Sequence, residues 1–289
     1  MEFRASLVVL LLTAPTIFAQ STVEQTQKSP APPPTGNVQS SQSTAVSDEA
    51  TDTSIPSQCE SIANMGGQYQ PLASACEFVL SPQNLPNYVC HETTERFVNE
   101  RKLDVITDDV RFDNHGRGER HTNLAVDGLP VRTLEDRGGW ISFALFGNRV
   151  TTIFSPANHA QFRFEREKHA GESATDTFSF NIHAATNETF LLNRFQTGVK
   201  GSITVDKATG QLLEIESSQS ERPANDPLES YKSRINYGDV TIPDLGSVLV
   251  PLNAEVRVCY SNGTCDRNQV AFSDCHKFKA TTRIVPDSK

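Results

Sequence analysis

The sequence predicts a mainly β fold: an antiparallel meander forming a half-open barrel or curved sheet, with one packed helix. Three observations predict it. From about residue 85 onward, apolar residues recur at every second position in short runs, which is the period of half-buried strands. Turn signals such as Asp127-Gly128 and Asp206-Lys207-Ala208-Thr209-Gly210 separate the runs, so strands adjacent in sequence become neighbours in a sheet. One stretch, Trp140 to Phe154, breaks period two, with apolar residues at 141, 145, 150, 153 and 154. That spacing suits a helix lying on the sheet, ended by Ser155-Pro156.

The elements follow in order. Residues 1–19 read as a secretory signal peptide, with Arg4 ahead of the apolar run Leu7 to Leu12 and the small Ala19 at the cut. Residues 20–57 contain no aromatic side chain and are rich in Ser, Thr, Gln and Pro. They cannot bury enough apolar surface to order themselves and form a disordered tether. Residues 58–84 form a short cysteine-stapled segment, and residues 85–289 the β domain. Its strands run through Leu103 to Val105, Val110 to Phe112 and Leu124 to Val126. Phe162 to Phe164 and Phe178 to Ile182 make a hairpin around Gly171. Phe190 to Phe195, Gly201 to Val205, Leu212 to Glu216 and Ser233 to Val240 continue the meander. Val248 to Leu252, Glu255 to Tyr260, Asn268 to Phe272 and Lys277 to Ile284 complete it.

All six cysteines follow the tether; an even count behind a signal peptide points to an oxidising compartment. Cys259 and Cys265 flank a hairpin tip. A two-residue Asn262-Gly263 loop sets Cys259 against Asp266, whereas a three-residue loop with Gly263 left-handed sets it against Cys265 and favours a cross-strand bond. Cys59 and Cys76 read as a local staple. Cys90 and Cys275 remain, tying the first strand of the body to the last.

The chain of 289 residues carries a formal charge of −9, which argues against nucleic acid as a partner. After signal cleavage no apolar run is long enough to span a bilayer. No site chemistry stands out. His91-Glu92-Thr93-Thr94-Glu95 lacks the second His of a zinc-protease motif. The dipeptides Cys90-His91 and Cys275-His276 put Cys and His on opposite strand faces. The segment Asp113 to His121 holds two His and two acids, but Arg117 and Arg120 intervene, and it reads as an exposed hairpin tip. Asp108 and Asp109, adjacent in a strand, diverge. There is no Gly-x-Ser-x-Gly elbow and no phosphate-cradling glycine loop. The expectation is therefore a non-enzyme without metal or cofactor.

Leu85-Pro86-Asn87-Tyr88-Val89-Cys90 with Thr93, Thr94 and Arg96 resembles the opening of uncharacterised secreted proteins of acidobacteria. Val126-Asp127-Gly128 and the Gly138 to Phe154 block extend that resemblance. Gly201-Ser202-Ile203-Thr204-Val205-Asp206 with Thr209-Gly210 is similar to a hairpin of the lipoprotein-carrier family (LolA and RseB type). That second resemblance implies a half-open barrel with a helical lid over an apolar cavity. The residues read as cavity candidates are Trp140, Phe143, Phe146, Phe154, Phe162, Phe164, Phe178 and Phe180. The reading that results is a secreted or periplasmic cell-envelope protein binding a hydrophobic ligand, a lipid or an acylated protein. A ligand-free surface module that engages an envelope protein is the first alternative. A hydrolase using His115 or His121 is the second.

Overall fold

The computed structural model describes residues 57–81, 88–113, 118–134, 137–142, 145, 147–170, 173–186, 191–192 and 195–278. All lie in the compact unit Asp52–Lys289. The expected signal peptide and all but the last residue of the expected tether fall outside the described residues, as do Phe143, Phe146 and His115.

The cysteine-stapled segment is helical. Helix α1 (Ser57–Ala63) and helix α2 (Gln70–Leu80) are joined through a 3-10 turn and clamped by the Cys59–Cys76 disulfide. Pro71 sits in the first turn of α2, where its missing N–H costs nothing. Leu72, Ala73, Ala75, Cys76 and Val79 form its buried stripe.

The β domain opens with β1 (Tyr88–Val98), β2 (Arg101–Asp113), β3 (Gly118–Val126) and the two-residue β4 (Leu129–Pro130). After helix α3 (Asn148–Phe154) come β5 (Gln161–Ala170) and β6 (Ser173–Ile182). The short pair β7 (Leu191–Leu192) and β8 (Phe195–Gln196) is followed by β9 (Gly198–Asp206), β10 (Leu212–Glu221), β11 (Leu228–Ile242), β12 (Gly246–Tyr260) and β13 (Cys265–Lys277). Eleven of these strands make one antiparallel, open, curved sheet in the order β4-β3-β2-β1-β13-β12-β11-β10-β9-β6-β5. Every neighbour in that order is also a neighbour in sequence except at β1/β13, which joins the chain's first and last strands, and at β6/β9.

Three expectations about elements change. The strand expected at Phe190 to Phe195 is not in the main sheet: β7 and β8 pair only with each other, because β6 pairs directly with β9. Val248 to Leu252 and Glu255 to Tyr260 are one strand, β12, whose register against β11 shifts between Asn236 and Tyr237. The helix expected from Trp140 starts only at Asn148. Gly139 at φ +79° and the backbone bonds described below hold Gly138 to Ser142 in irregular structure.

At the hairpin tip, Cys259 pairs with Cys265, Tyr260 N–H donates to Thr264 O, and Gly263 lies at φ +84°. Disulfides join Cys259 to Cys265 and Cys90 to Cys275. The helices cover one face of the sheet and enclose with it a single large apolar cluster. No described helix is long and apolar enough to cross a membrane.

Candidate functional site

The helix-covered face of the sheet has an apolar half and a polar half. In the apolar half, Phe178, Phe180 and Ile182 of β6 face inward beside Ile203 and Val205 of β9, Ile215 of β10 and Ile235 of β11, all essentially inaccessible. Tyr69 and α2 lie over them: the Tyr69 ring is 5.6 Å from Phe178, and its hydroxyl accepts the Phe164 backbone N–H at 3.1 Å. Gly201 faces inward opposite Phe180. A Cβ there would meet Glu216 O at 1.8 Å and the Phe180 ring at 2.8 Å, so only glycine allows this approach. Gly210, at φ +71°, closes the Asp206 turn. Its position touches Ser74 and Pro71 O of α2, which seats the β9–β10 hairpin against that helix.

The cavity candidates divide accordingly. Phe154, Phe162, Phe178 and Phe180 are buried in the apolar cluster, and Phe164 packs at its edge. Phe154 stacks on Phe162 at 5.9 Å and Phe164 meets Phe178 edge-on at 5.5 Å, so these rings pack on one another. Trp140 stands apart from them, half-buried with its ring 6.2 Å from Tyr231.

The polar half is formed by β1, β2, β3 and β13. Its inward residues include Glu92, Thr94, Arg96, Asp104, Asp108, Asp266 and Asn268, all buried. Several of them grip the segment that leads into α3. Arg96 Nη1 donates to Gly138 O at 2.9 Å, Asp266 Oδ2 accepts the Trp140 N–H at 2.7 Å, and Asn268 Nδ2 donates to Trp140 O and to Ser142 Oγ. Glu119 Oε1 accepts the backbone N–H groups of Gly147 and Asn148 at the start of α3. Sheet side chains thus take over the hydrogen bonds that a helix would have supplied itself. Arg96 also makes a bidentate bond to Asp104 at 2.7 and 2.6 Å, the geometry in which a buried ion pair is best compensated.

Beyond that pair lies a cluster of titratable groups. Glu92 and Asp108 stand directly opposite each other on β1 and β2. His121 of β3 places Nδ1 at 3.0 Å from Asp108 Oδ2 and 4.0 Å from Glu92 Oε2, with Nε2 at 3.9 Å from Glu119 Oε2. One ligand atom from each of Glu92, Asp108 and His121 lies within 4.8 Å of the others. Burial first, then the Asp108 charge, pushes the Glu92 carboxyl up to about 8, against the opposing pull of His121 and the Thr94 hydroxyl. For His121 burial favours the neutral ring, but the Asp108 hydrogen bond and the charges of Asp108, Glu92 and Glu119 outweigh it and raise its pKa. Burial likewise raises Tyr88 and Tyr237 well above the ordinary phenol range.

The chain matches no family model, and no curated protein matches it in sequence. Among solved structures, it is similar to a LolA superfamily protein from Nitrosomonas europaea at 14% identity and TM-score 0.37, covering 73% of this chain and 93% of that one. It is also similar to a DUF1329 family protein from Desulfovibrio piger at 10% identity and TM-score 0.39, covering 73% and 95%. Neither comparison involves the secreted acidobacterial proteins.

His91 and Asp109, each next in sequence to a cluster member, point outward. There His91 Nδ1 lies 3.2 Å from Asp109 Oδ1, and Asn123 donates to Asp109 at 2.6 Å. The near-motif His91-Glu92 is therefore split across the sheet. The inward set went unnoticed in the sequence because β1 and β2 are polar on both faces, which hides the period that reveals other strands. A second feature, on the outer face, is a concavity of about 830 Å³ lined by side chains such as Glu216, Lys232, Arg234, Asn253, Glu255 and Arg257.

Proposed function

We propose that the protein is an exported, non-enzymatic carrier of the cell envelope that receives the acyl chain of a lipid or acylated protein on the apolar half of its helix-covered face. In this reading residues 1–19 direct export, residues 20–57 tether the domain, and the segment from Gly138 to Phe154 is the lid. The observation that carries it is the contrast in how that segment is held. Its α3 end rests on the phenylalanine layer through Val150, Ile153 and Phe154, while its leading end hangs on hydrogen bonds from Arg96, Asp266, Asn268 and Glu119. Water can replace those bonds when the lid lifts, and each acyl methylene buried gains about 0.8 kcal/mol, set against the apolar surface of α3 that lifting exposes. Three disulfides suit an oxidising compartment.

Native mass spectrometry of the protein purified from its own envelope, followed by organic extraction, tests the reading. A discrete added mass that extracts as lipid is expected. Trp140, the single tryptophan of the chain, supplies a second readout, because a brominated fatty acid bound beneath the lid quenches its emission. A bare chain whose Trp140 emission is insensitive to the brominated acid overturns the reading. A second reading, a surface module that engages an envelope protein, is favoured by the charged outer concavity. A stoichiometric protein crosslink, with no lipid, would establish it.

A further inference from the structure

We infer that Glu92, Asp108 and His121 form a binding site for one divalent transition-metal cation, of which Zn²⁺ is the type. This inference is independent of whether an acyl chain occupies the apolar half.

Three neighbouring strands bring one imidazole and two carboxylates together on one face, with ligand atoms within 4.8 Å of each other. Imidazole with carboxylate is a donor set that suits Zn²⁺ and related first-row divalent ions, and three protein ligands leave a coordination position for water. The register sets Glu92 directly across from Asp108. Ionised together, like charges facing across a strand pair destabilise it, and more strongly when buried, with Glu92 at 6% and Asp108 at 4% exposure; a divalent cation between them removes that cost. The buried guanidinium of Arg96 does not serve them, because Asp104 takes its Nε–Nη2 edge and Gly138 O accepts from Nη1.

An independent sign is Asp108 Oδ1, which is buried and accepts no hydrogen bond from the described residues, while Oδ2 faces His121. A buried carboxylate oxygen without a donor is costly, and a cation held by that carboxylate removes the cost. Glu119 completes the arrangement. With Nδ1 of His121 on the metal, Nε2–H points to the Glu119 carboxylate now 3.9 Å away, the outer-sphere pairing that fixes a ligating imidazole. The same Glu119 holds the start of α3. His121 is the least buried of the three, its side chain 14% exposed.

The test uses the full mature chain without an affinity tag, freed of metal with a chelator and then titrated with Zn²⁺ and, separately, Co²⁺. Expected are one Zn²⁺ retained per chain after desalting, a melting temperature raised by several degrees, and visible absorption bands from bound Co²⁺. Asp108→Asn, close in shape to the parent residue, loses all three. Glu92→Gln does the same and serves if Asp108→Asn fails to fold. Glu119→Gln weakens Zn²⁺ binding about 10- to 100-fold. Asp109→Asn, on the opposite face, retains stoichiometric binding. A wild-type chain that keeps no Zn²⁺ and melts alike with metal and with chelator overturns the inference. So does binding that survives unchanged in the folded Asp108→Asn and Glu92→Gln variants.

Discussion

The two halves of the helix-covered face solve the same problem with different chemistry. Between β6 and β12 the sheet meets its covering helices through side chains such as Phe178, Ile203, Ile215 and Ile235, and contact is non-directional. Between β13 and β3 it meets irregular backbone, and buried donors and acceptors share the inward face with apolar side chains such as Ile106, Val110, Val126 and Val270. An apolar layer accepts any cover of the right volume, whereas a polar layer accepts only a backbone whose N–H and C=O groups fall where Asp266, Asn268, Arg96 and Glu119 reach them. The first half therefore supplies stability. The second fixes where the lid segment starts.

Four variants break or sharpen this contrast. The largest loss is expected in the apolar half: Phe178→Ala, at a fully buried ring touching Tyr69 and Phe164, costs about 3–5 kcal/mol in urea unfolding. In the polar half Asp104→Ala strands the buried Arg96 and costs nearly as much, again about 3–5 kcal/mol. Replacing both members as Arg96→Met with Asp104→Leu returns most of that loss, because the penalty belongs to an uncompensated charge rather than to lost volume. A double variant as unstable as the single one would show that the polar half is held by its charges after all. The smallest effect is at Asn268→Ala, about 1–3 kcal/mol. Its distinctive readout is a red-shifted Trp140 emission, since Trp140 O and Ser142 Oγ lose their donor and the lid loosens.

The same contrast explains what could be read from the amino-acid sequence. The curved antiparallel sheet was legible because strands such as β6 and β9 alternate cleanly, and the Asp206 turn was legible because its chemistry is local. Asp206 Oδ1 accepts the N–H groups of Ala208 and Thr209 within the turn. The start of α3 was misplaced because the residues that keep Trp140 out of a helix, Asp266 and Asn268, lie more than a hundred positions away. The Glu92–Asp108–His121 cluster was illegible for a related reason. Its members become neighbours only once the registers of β1, β2 and β3 are known, and His121 lay in a segment that reads as an exposed hairpin tip. That the stapled segment is a pair of helices was equally hidden, since α1 has only seven residues and is held by the disulfide and by packing against α2.

The placement of β1 against β13 governs how the molecule is made. Strands β1 to β4 leave the ribosome before β13, yet among the described strands they join the rest of the sheet only through it. The bond between Cys90 and Cys275 spans 185 positions. Until β13 arrives, the buried carboxylates, Arg96 and the inward face of β1 have no finished sheet to enter, and an unpaired strand edge stays open to other chains. Pairings this distant in sequence are slow to form. Strands β1 to β4 therefore remain unfinished until the 185 positions that separate Cys90 from Cys275 have been made, and shielding by a holding chaperone would matter most for them over that interval.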